Sequence, residues 1–376
     1  MSQITIKSVS TKEDLKDFIR FAWTIYKGNP HWVPPVLMDF EPKFDKKHPF
    51  YEFGEQENLL AYRDGVIVGR IAAIKNNRYN ECHNDKSGFF GYFECIDDQN
   101  VANALLDAAR DWLLAHGLNK LHGPASPSSN YEYGLLVEGF DDAPRIEMSY
   151  NPPYYQTLLE NYGLTKAMGL LAYQIDAKTV LDNPKFTRVA EIARERAGVT
   201  LRAINKKDMK GELKIVKDLY NKCWEQNWGF VPMTEKEINK VGEGFNLIAE
   251  SSLIQFAYIK GEPVAMGVAL LDYNELFQHF NGKMFPFNIF KVLKAKFFPK
   301  NKFKWVRVML LGITPEHRNK GLDAVINYEM IKNGLELGFA YGEASWILEN
   351  NDAMNRSMQT VNGKVYKRYN VYEKNI

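Results

Sequence analysis

The residues best suited to chemistry in this chain form a short cationic turn, Arg318-Asn319-Lys320-Gly321. The turn follows an apolar, β-prone run that ends at Ile313, and it precedes a helical pattern over residues 322–337. The first turn of a helix carries backbone N–H groups without intrahelical partners, and the helix dipole places partial positive charge there. The two cations add full charges, and the glycine lets the backbone approach an anion closely. The pattern therefore predicts a pyrophosphate-binding turn.

The same stretch resembles the acyl-CoA-binding loop of the GNAT acetyltransferase superfamily, whose signature is Gln/Arg-x-x-Gly-x-Gly/Ala, usually preceded by Val-x-Pro. Ile313-Thr314-Pro315 and the cationic turn match that pattern, whereas Asp323 stands where the family has Gly or Ala. A carboxylate beside a pyrophosphate is unfavourable unless it points away. The resemblance implies acetyl-CoA or another acyl-CoA as cosubstrate, bound by Leu311, Ile313, Thr314, Arg318, Asn319, Lys320, Gly321, Leu322 and Asn351.

The resemblance also implies direct attack of an amine on a thioester, which requires a base to deprotonate the ammonium group. Family members often place a Glu on the fourth strand, and the predicted fourth strand of this chain has none. The candidate bases are Glu343 and Glu349, which flank the next strand, and Glu275 and His279, which lie just before residues 283–305. Tyr366 or Tyr369 is a candidate acid for the leaving thiol. The family's usual Tyr, about seven residues after an Asn, is missing, because the position counted from Asn351 is Met358. The plainer interpretation of each candidate is a solvated loop residue, a strand-edge residue or a core aromatic.

The chain contains an internal repeat with a period of about 195 to 200 residues. Ile4-Thr5-Ile6-Lys7 matches Val199-Thr200-Leu201-Arg202, and Ala61-Tyr62-x-x-Gly65 matches Ala257-Tyr258-x-x-Gly261. Further matches follow in the same order, Trp32-Val33-Pro34 with Phe230-Val231-Pro232, and Asn151 and Gly163 with Asn351 and Gly363. A period this long indicates two related domains rather than a solenoid of short repeats.

The predicted fold is therefore α+β, with two GNAT-like domains in tandem, each a mixed, mostly antiparallel sheet with helices on both faces. The predicted boundaries are residues 1–178, a linker helix over 179–198, and residues 199–376. Where the second half has its cationic turn, the first has Ile96-Asp97-Asp98, and two aspartates repel a pyrophosphate. The first domain is thus predicted to have lost acyl-CoA binding.

Composition sets broad limits on function. The chain is 45% hydrophobic and 25% charged, as in proteins that bury substantial cores, and its net charge of +2 argues against a nucleic-acid partner. Its three cysteines, odd in number and widely spaced, predict neither a disulfide framework nor a metal site. No apolar run approaches 18 residues and the first 14 residues lack a signal-peptide core, so a cytoplasmic protein without a transmembrane segment is expected.

Two segments bear on the substrate. Residues 283–305 contain seven lysines, six phenylalanines and no acidic residue. They are interpreted either as a cationic-aromatic lid or membrane-surface element, or as an extra helix packed by its phenylalanines. Residues 123–155 are predicted to form a long proline-rich loop, which either lines a cleft or covers an edge of the first sheet.

The leading functional hypothesis is an acyl-CoA-dependent N-acyltransferase in which the C-terminal unit transfers an acetyl or other acyl group to a small-molecule amine or peptide. A second hypothesis is a non-catalytic tandem GNAT-like binding or scaffold protein, which Asp323 and the missing Tyr favour. A third is an aminoacyl or long-chain acyl transferase on the same fold, which the segment at 283–305 favours. The oligomeric state is left open.

Overall fold

The computed structural model describes residues 3–376, apart from the side chain of residue 246. The described chain divides into two compact units: unit 1 contains residues 3–34, 40–170 and 367–376, and unit 2 contains residues 35–39 and 171–366. The two units are defined by contacts within the folded chain, whereas the predicted domains were defined by a repeat in the sequence. The predicted domain boundaries therefore stay a prediction.

The strands are β1 (Ile4–Ser8), β2 (Gly54–Arg63), β3 (Val66–Asn76), β4 (Ser87–Cys95), β5 (Lys120–Gly123), β6 (Ala125–Ser126), β7 (Glu132–Tyr133), β8 (Leu135–Glu138), β9 (Thr165–Asp176), β10 (Val199–Ala203), β11 (Ile254–Ile259), β12 (Glu262–Leu271), β13 (Trp305–Ile313), β14 (Tyr341–Leu348) and β15 (Lys364–Asn375). The helices are α1 (Lys12–Arg20), α2 (Ala22–Ile25), α3 (Leu37–Phe40), α4 (Asn77–His83), α5 (Gln99–Ala115), α6 (Tyr154–Asn161), α7 (Ala177–Leu181), α8 (Pro184–Ala197), α9 (Met209–Trp224), α10 (Glu235–Ile248), α11 (Asn274–Phe277), α12 (Asn288–Phe297), α13 (Leu322–Leu337) and α14 (Asp352–Thr360). Within residues 3–376, none of these helices combines the length and apolarity needed to cross a membrane.

The sheet of unit 1 runs β1-β2-β3-β4-β5 and continues into β15. Its neighbours are antiparallel except for β4 and β5, which are parallel. The predicted loop at residues 123–155 is more ordered than expected. It contains β6 and β7, which form a two-stranded sheet, and β8, which pairs with β15.

The sheet of unit 2 repeats this plan as β10-β11-β12-β13-β14. Its neighbours are antiparallel except for β13 and β14, which are parallel. The predicted fold class, mixed and mostly antiparallel in each half, is confirmed.

The internal repeat also appears in backbone geometry. The β2–β3 pair changes register between Ala61 and Tyr62, and the β11–β12 pair does so between Ala257 and Tyr258. Both hairpins turn through two residues with positive φ: 52° and 78° at positions 64 and 65, and 52° and 84° at positions 260 and 261. Positive φ at both central residues defines the type I′ turn, which matches the twist of the flanking strands. The same bulge and turn therefore occur at matched positions of the two halves.

Each sheet carries helices on both faces. In unit 1, α5 buries Leu105 and Ala109 against a cluster that includes Ile71 of β3. On the other face of β3, the Arg70 guanidinium donates to the carbonyl of Phe18 in α1, 2.7 Å away. In unit 2, one face packs against α9 and α10 and the other against α8, α13 and α14. Strand β13 therefore lies between two layers of helices.

Candidate active site

Strands β13 and β14 of unit 2 pair over only half of their length. Their parallel register joins residues 305–308 to residues 341–344. Beyond Val308 the strands separate, and a pocket lies between them, lined by Met309 and Leu311 on one side and by Ser345 and Trp346 on the other. The backbone edge of β13 therefore borders a pocket where the strands part.

A bulge in β13 marks the place where pairing stops. The register of β13 with β12 pairs Val268 with Leu310 and Ala269 with Val308, so Met309 is skipped. Past the bulge, the Thr314 N–H donates to the Val264 carbonyl of unit 2, 2.9 Å away. Successive amides of a strand point to opposite edges, so the N–H groups of residues 311 and 313 face away from β12. Two predicted binding residues thus turn their amides toward the edge that β14 leaves.

The cationic turn enters α13 through residues with left-handed backbone conformation. Asn319 has φ of 62° and Gly321 has φ of 74°, and Gly321 is the N-cap of α13 without any side-chain cap. A Cβ atom on Gly321 would lie 2.8 Å from the Cβ of Ala193 in α8. Glycine is therefore required here for conformation and for packing. The amides of the first helical turn receive no side-chain cap, which suits an anion.

The two cations of the turn differ in their surroundings. The Arg318 guanidinium donates to the carbonyl of Cys223, 2.9 Å away, and to the carbonyl of Ile313, 3.4 Å away. Lys320 is exposed to solvent. Arg318 is exposed as well but ties the turn to the end of α9, so an anion in solution can reach both cations.

The acidic groups near the turn are engaged by neighbours in unit 2. Asp323 accepts a hydrogen bond from the Ser357 hydroxyl of α14 at 2.6 Å. Glu316 lies 3.2 Å from the ammonium group of Lys222, and hydrogen bonds from its own backbone N–H and from Lys222 lower its pKa. Asp323 therefore has a hydrogen-bond partner on α14.

One wall of the pocket is an aromatic side chain packed on a glycine. A Cβ atom on Gly312 would lie 2.4 Å from the ring of Trp224, which lines the pocket. Asn227, Asn327 and Met358 also line it. The pocket is thus largely apolar with a few amide groups, as in many sites for small molecules.

A buried polar network lies beside the pocket, in the paired half of β13 and β14. Glu343 is fully buried and accepts hydrogen bonds from the hydroxyl groups of Ser345, at 2.5 Å, and Tyr366. Arg307, its cross-strand partner, places Nε 3.9 Å from the Glu343 carboxylate and donates to the Ser345 hydroxyl at 2.9 Å. Ser345 is also a residue of the pocket lining, so the network and the pocket share this residue.

The sequence candidates are therefore distributed as follows. Glu343 and Tyr366 are in contact, whereas Glu349 is exposed in the turn after β14 and is not among the residues that line the pocket. Asn351 lines the pocket, and its side-chain oxygen caps α14 by accepting from the Met354 N–H at 3.1 Å.

Sequence reasoning missed Arg307 and Ser345. A signal for Arg307 was present, because a cation inside an otherwise apolar strand must have a buried partner. No comparable signal marked Ser345.

Cys223 also lies at the site but is not a candidate nucleophile. Burial raises the pKa of its thiol to about 12, so the neutral thiol predominates near neutral pH. Its role at the site is the carbonyl group that accepts from Arg318.

The matching positions of unit 1 are occupied by its own chain. Strands β4 and β5 pair only over residues 87–89 and 120–122. Beyond that point β6 lies against β4: a Cβ atom on Gly91 would be 2.1 Å from the Ala125 carbonyl oxygen, and the Tyr92 N–H donates to the Ser126 hydroxyl at 2.9 Å. The N-cap of the following helix, α5, is Asp98, whose carboxylate accepts from the Asn100 N–H at 2.8 Å.

Comparison with known proteins agrees with this geometry. No protein-family model matches the chain. A tandem GNAT protein from the clavulanic acid biosynthesis pathway superposes with a TM-score of 0.57 at 11% identity, covering 99% of this chain and 98% of that protein. A GCN5-related N-acetyltransferase from Sphaerobacter thermophilus superposes with a TM-score of 0.51 at 12% identity, covering 99% of this chain and 95% of that protein. The fold is thus that of the tandem GNAT proteins, in which one chain contains two GNAT units.

Two relatives cover nearly the whole sequence. Protein YghO of Escherichia coli (strain K12) is 33% identical over 376 residues, which are 99% of this chain and 95% of the relative. The bacterial ceramide synthase of Caulobacter vibrioides (strain NA1000 / CB15N) is 32% identical over 388 aligned positions, covering 99% of this chain and 98% of the relative. The chain belongs to the family of these two proteins, and its fold is that of tandem GNAT proteins.

Proposed function

We propose that this protein is an N-acyltransferase that moves a long-chain acyl group from acyl-CoA to the amino group of a long-chain amine, with unit 2 as the working unit. The observation that carries the proposal is the combination, in unit 2, of a strand edge bordering a pocket and a cationic helix N-terminus without a side-chain cap. These two features suit the two ends of coenzyme A, since strand edges bond extended amide chains and helix N-termini bond phosphates.

The length of the acyl chain is proposed from the relatives. One relative, 32% identical, is named a bacterial ceramide synthase, and a ceramide is an amide of a fatty acid with a long-chain amino alcohol. The other is named without an activity. The largely apolar pocket and the phenylalanine-rich segment at 283–305 support a long-chain substrate over acetyl transfer.

In the proposed reaction the amine nitrogen attacks the thioester carbonyl, a C–N bond forms, the C–S bond breaks, and the thiolate leaves and takes up a proton. The outward-facing amides of residues 311 and 313 are placed to stabilise negative charge on the carbonyl oxygen. The amine must first lose a proton, and Ser345 is the pocket hydroxyl that connects to a carboxylate, Glu343. Glu343 does not line the pocket, so we propose that it accepts the proton through Ser345.

The direct test uses the purified chain with palmitoyl-CoA and sphinganine, with mass spectrometry for the amide and a thiol reagent for released coenzyme A. Equal amounts of the two products are expected, with acetyl-CoA slower by about tenfold or more because it lacks the chain that the pocket binds. Absence of amide, with no rise in melting temperature from any CoA ester, would contradict the proposal.

Removing the pocket hydroxyl tests the route of the proton. Ser345→Ala is expected to lower kcat by about tenfold or more, with little change in KM for acyl-CoA, because proton transfer and not binding is impaired. Ser8→Ala, at an exposed position of β1, is the matched control. An unchanged kcat in the Ser345 variant would remove the hydroxyl from the mechanism.

A binding or scaffold role is the second candidate, and the placement of Arg318 favours it. Its guanidinium donates hydrogen bonds to two backbone carbonyls, so fewer of its N–H groups are left for a phosphate. In that role no CoA ester is expected to raise the melting temperature or to be turned over.

A further inference from the structure

The helix α12 and the residues around it carry a group of exposed aromatic side chains. Five phenylalanines of this segment are between 59% and 76% exposed: Phe285, Phe287, Phe290, Phe297 and Phe298. The expectation that the phenylalanines of this insertion pack it onto the protein is therefore wrong for five of the six. Only Phe303 is buried, against Tyr273 at a ring distance of 4.7 Å.

The exposed rings share one side of the segment. Residues 287, 290, 294 and 297 are spaced by three, four and three positions, which aligns them on one face of a helix. Val292 and Ala295, on the other face, are buried. Helix α12 therefore rests on unit 2 with one face and presents the other, with three phenylalanines in line, to solvent.

The segment is anchored at both ends. On the N-terminal side, the Gly282 carbonyl accepts from the Leu37 N–H at 3.0 Å, and the Ile289 N–H donates to the Met284 carbonyl at 2.9 Å. On the C-terminal side, the Glu275 carboxylate accepts from the backbone N–H groups of Lys304 and Trp305, each at 2.9 Å. The exposure of the rings thus belongs to a hydrogen-bonded element.

The charge of this segment has one sign. Residues 283–305 hold seven lysines and no acidic residue, in a chain whose net charge is only +2. Six of these seven lysines are exposed: Lys283, Lys291, Lys294, Lys300, Lys302 and Lys304. Exposed rings together with exposed cations complement a surface that is apolar inside and negative outside.

We propose that this face, the 285–302 surface, docks unit 2 on the surface of an anionic phospholipid bilayer. The phenylalanine rings enter the boundary between headgroups and acyl chains, and the lysines contact lipid phosphates. The contact is peripheral, since among the described residues no helix can span a membrane. The proposed docking rests only on the exposure and the charge of this surface. Its link to the proposed function is that long-chain acyl groups and long-chain amines concentrate in membranes.

Flotation of the full-length protein with vesicles tests the proposal without any acyl donor or acceptor, so its failure is separate from failure of the transferase. Vesicles with about one quarter phosphatidylglycerol in phosphatidylcholine are compared with phosphatidylcholine alone at about 0.1 M salt. Binding to the anionic vesicles is expected, stronger by about tenfold or more than binding to the neutral ones, and weakened by added salt.

Two sets of variants separate the rings from the charges. The combined change Phe287→Ser, Phe290→Ser and Phe297→Ser is expected to weaken binding by about hundredfold or more, since each ring removed forfeits buried apolar area. Its matched control changes three exposed apolar residues elsewhere, Val66→Ser, Leu114→Ser and Val189→Ser, and leaves binding unchanged.

For the charges, Lys291→Glu with Lys294→Glu is expected to abolish the preference for anionic vesicles. Lys207→Glu with Lys210→Glu, at exposed positions of unit 2, is the control and keeps that preference.

Three results would overturn the proposal. The first is wild-type protein that does not float, and the second is flotation that the triple serine variant retains. The third is self-association in solution that the triple variant abolishes while vesicles capture nothing, which would assign the surface to a second copy of this chain. Circular dichroism melting of each variant checks that its fold is kept.

Discussion

Unit 1 and unit 2 differ at two matched places of the fold: the N-terminus of the main helix, and the gap between the fourth and fifth strands. In unit 1, the N-cap of α5 is Asp98, whose carboxylate caps the helix and pairs with the Arg63 guanidinium at 2.7 Å. In unit 2, the N-cap of α13 is Gly321, which gives no side-chain cap and follows Lys320. A helix N-terminus that its own carboxylate satisfies has less to offer a phosphate, so the uncapped one is the better anion site.

The gap between the fourth and fifth strands shows the same contrast. In unit 1, β6 covers the edge of β4 where β5 leaves it, through the close approach of Ala125 to Gly91 and the bond from Tyr92 to Ser126. In unit 2, the corresponding edge of β13 borders the pocket. The comparison teaches that one unit has supplied from its own chain what the other is proposed to take from a ligand.

The largest expected effect comes from the buried carboxylate of each unit. Glu343→Gln is expected to lower kcat by about a hundredfold or more, because Gln cannot accept the proton that Ser345 passes on. Glu94→Gln, in β4 of unit 1, is expected to leave kcat within about threefold. Steady-state kinetics of the two variants measure kcat. A larger loss of kcat in Glu94→Gln than in Glu343→Gln would indicate that the active site lies in unit 1.

The second effect concerns the stability of unit 1. Glu94 is buried, and desolvation raises its pKa from the ordinary value of 4.5 to about 7, although Arg70 opposes the shift. The folded state then binds more protons than the unfolded state between pH 4.5 and 7, so the stabilisation from this group is complete below pH 4.5 and is lost as pH rises to about 7.

The loss amounts to about 3 kcal/mol at most, and Glu94→Gln is expected to remove that part of the pH dependence. Urea unfolding of the wild type and the variant at several pH values measures it. Glu13→Gln, at an exposed position of the same unit, is the control and should keep the wild-type slope. Parallel curves for wild type and Glu94→Gln would show that Glu94 is not the group responsible.

The smallest expected effect tests the cationic turn. Lys320→Glu is expected to raise the KM for acyl-CoA by about tenfold with little change in kcat, because a negative charge replaces a positive one beside the diphosphate. Lys332→Glu, exposed in a later turn of the same helix, is the control. Equal KM values for the two variants would place the diphosphate elsewhere.

Local features of the fold were predictable from sequence because they depend on neighbours along the chain. Helix α13 has the predicted bounds, Leu322–Leu337, and the Asp64-Gly65 turn has the positive φ angles of type I′. The tandem arrangement followed from the repeat, and the GNAT assignment from the turn and its flanking strand and helix.

Features that depend on contacts distant in sequence were not predictable. Two partners of Glu343, Arg307 and Tyr366, lie on other strands, β13 and β15. The contact of residues 125–126 with β4 depends on a chain reversal that no short motif marks. The exposure of five phenylalanines ran against the ordinary preference of aromatic side chains for the interior. The roles assigned to the site residues stay predictions.

The last ten residues of the sequence belong to unit 1, where they extend its sheet by pairing with β5 and β8. Synthesis on the ribosome delivers a chain from its N-terminus. In the nascent chain, the edges of β5 and β8 that pair with these residues therefore stay unpaired until all of unit 2 has been translated. An expression plasmid that stops after residue 170 would yield a unit 1 that lacks its closing strand.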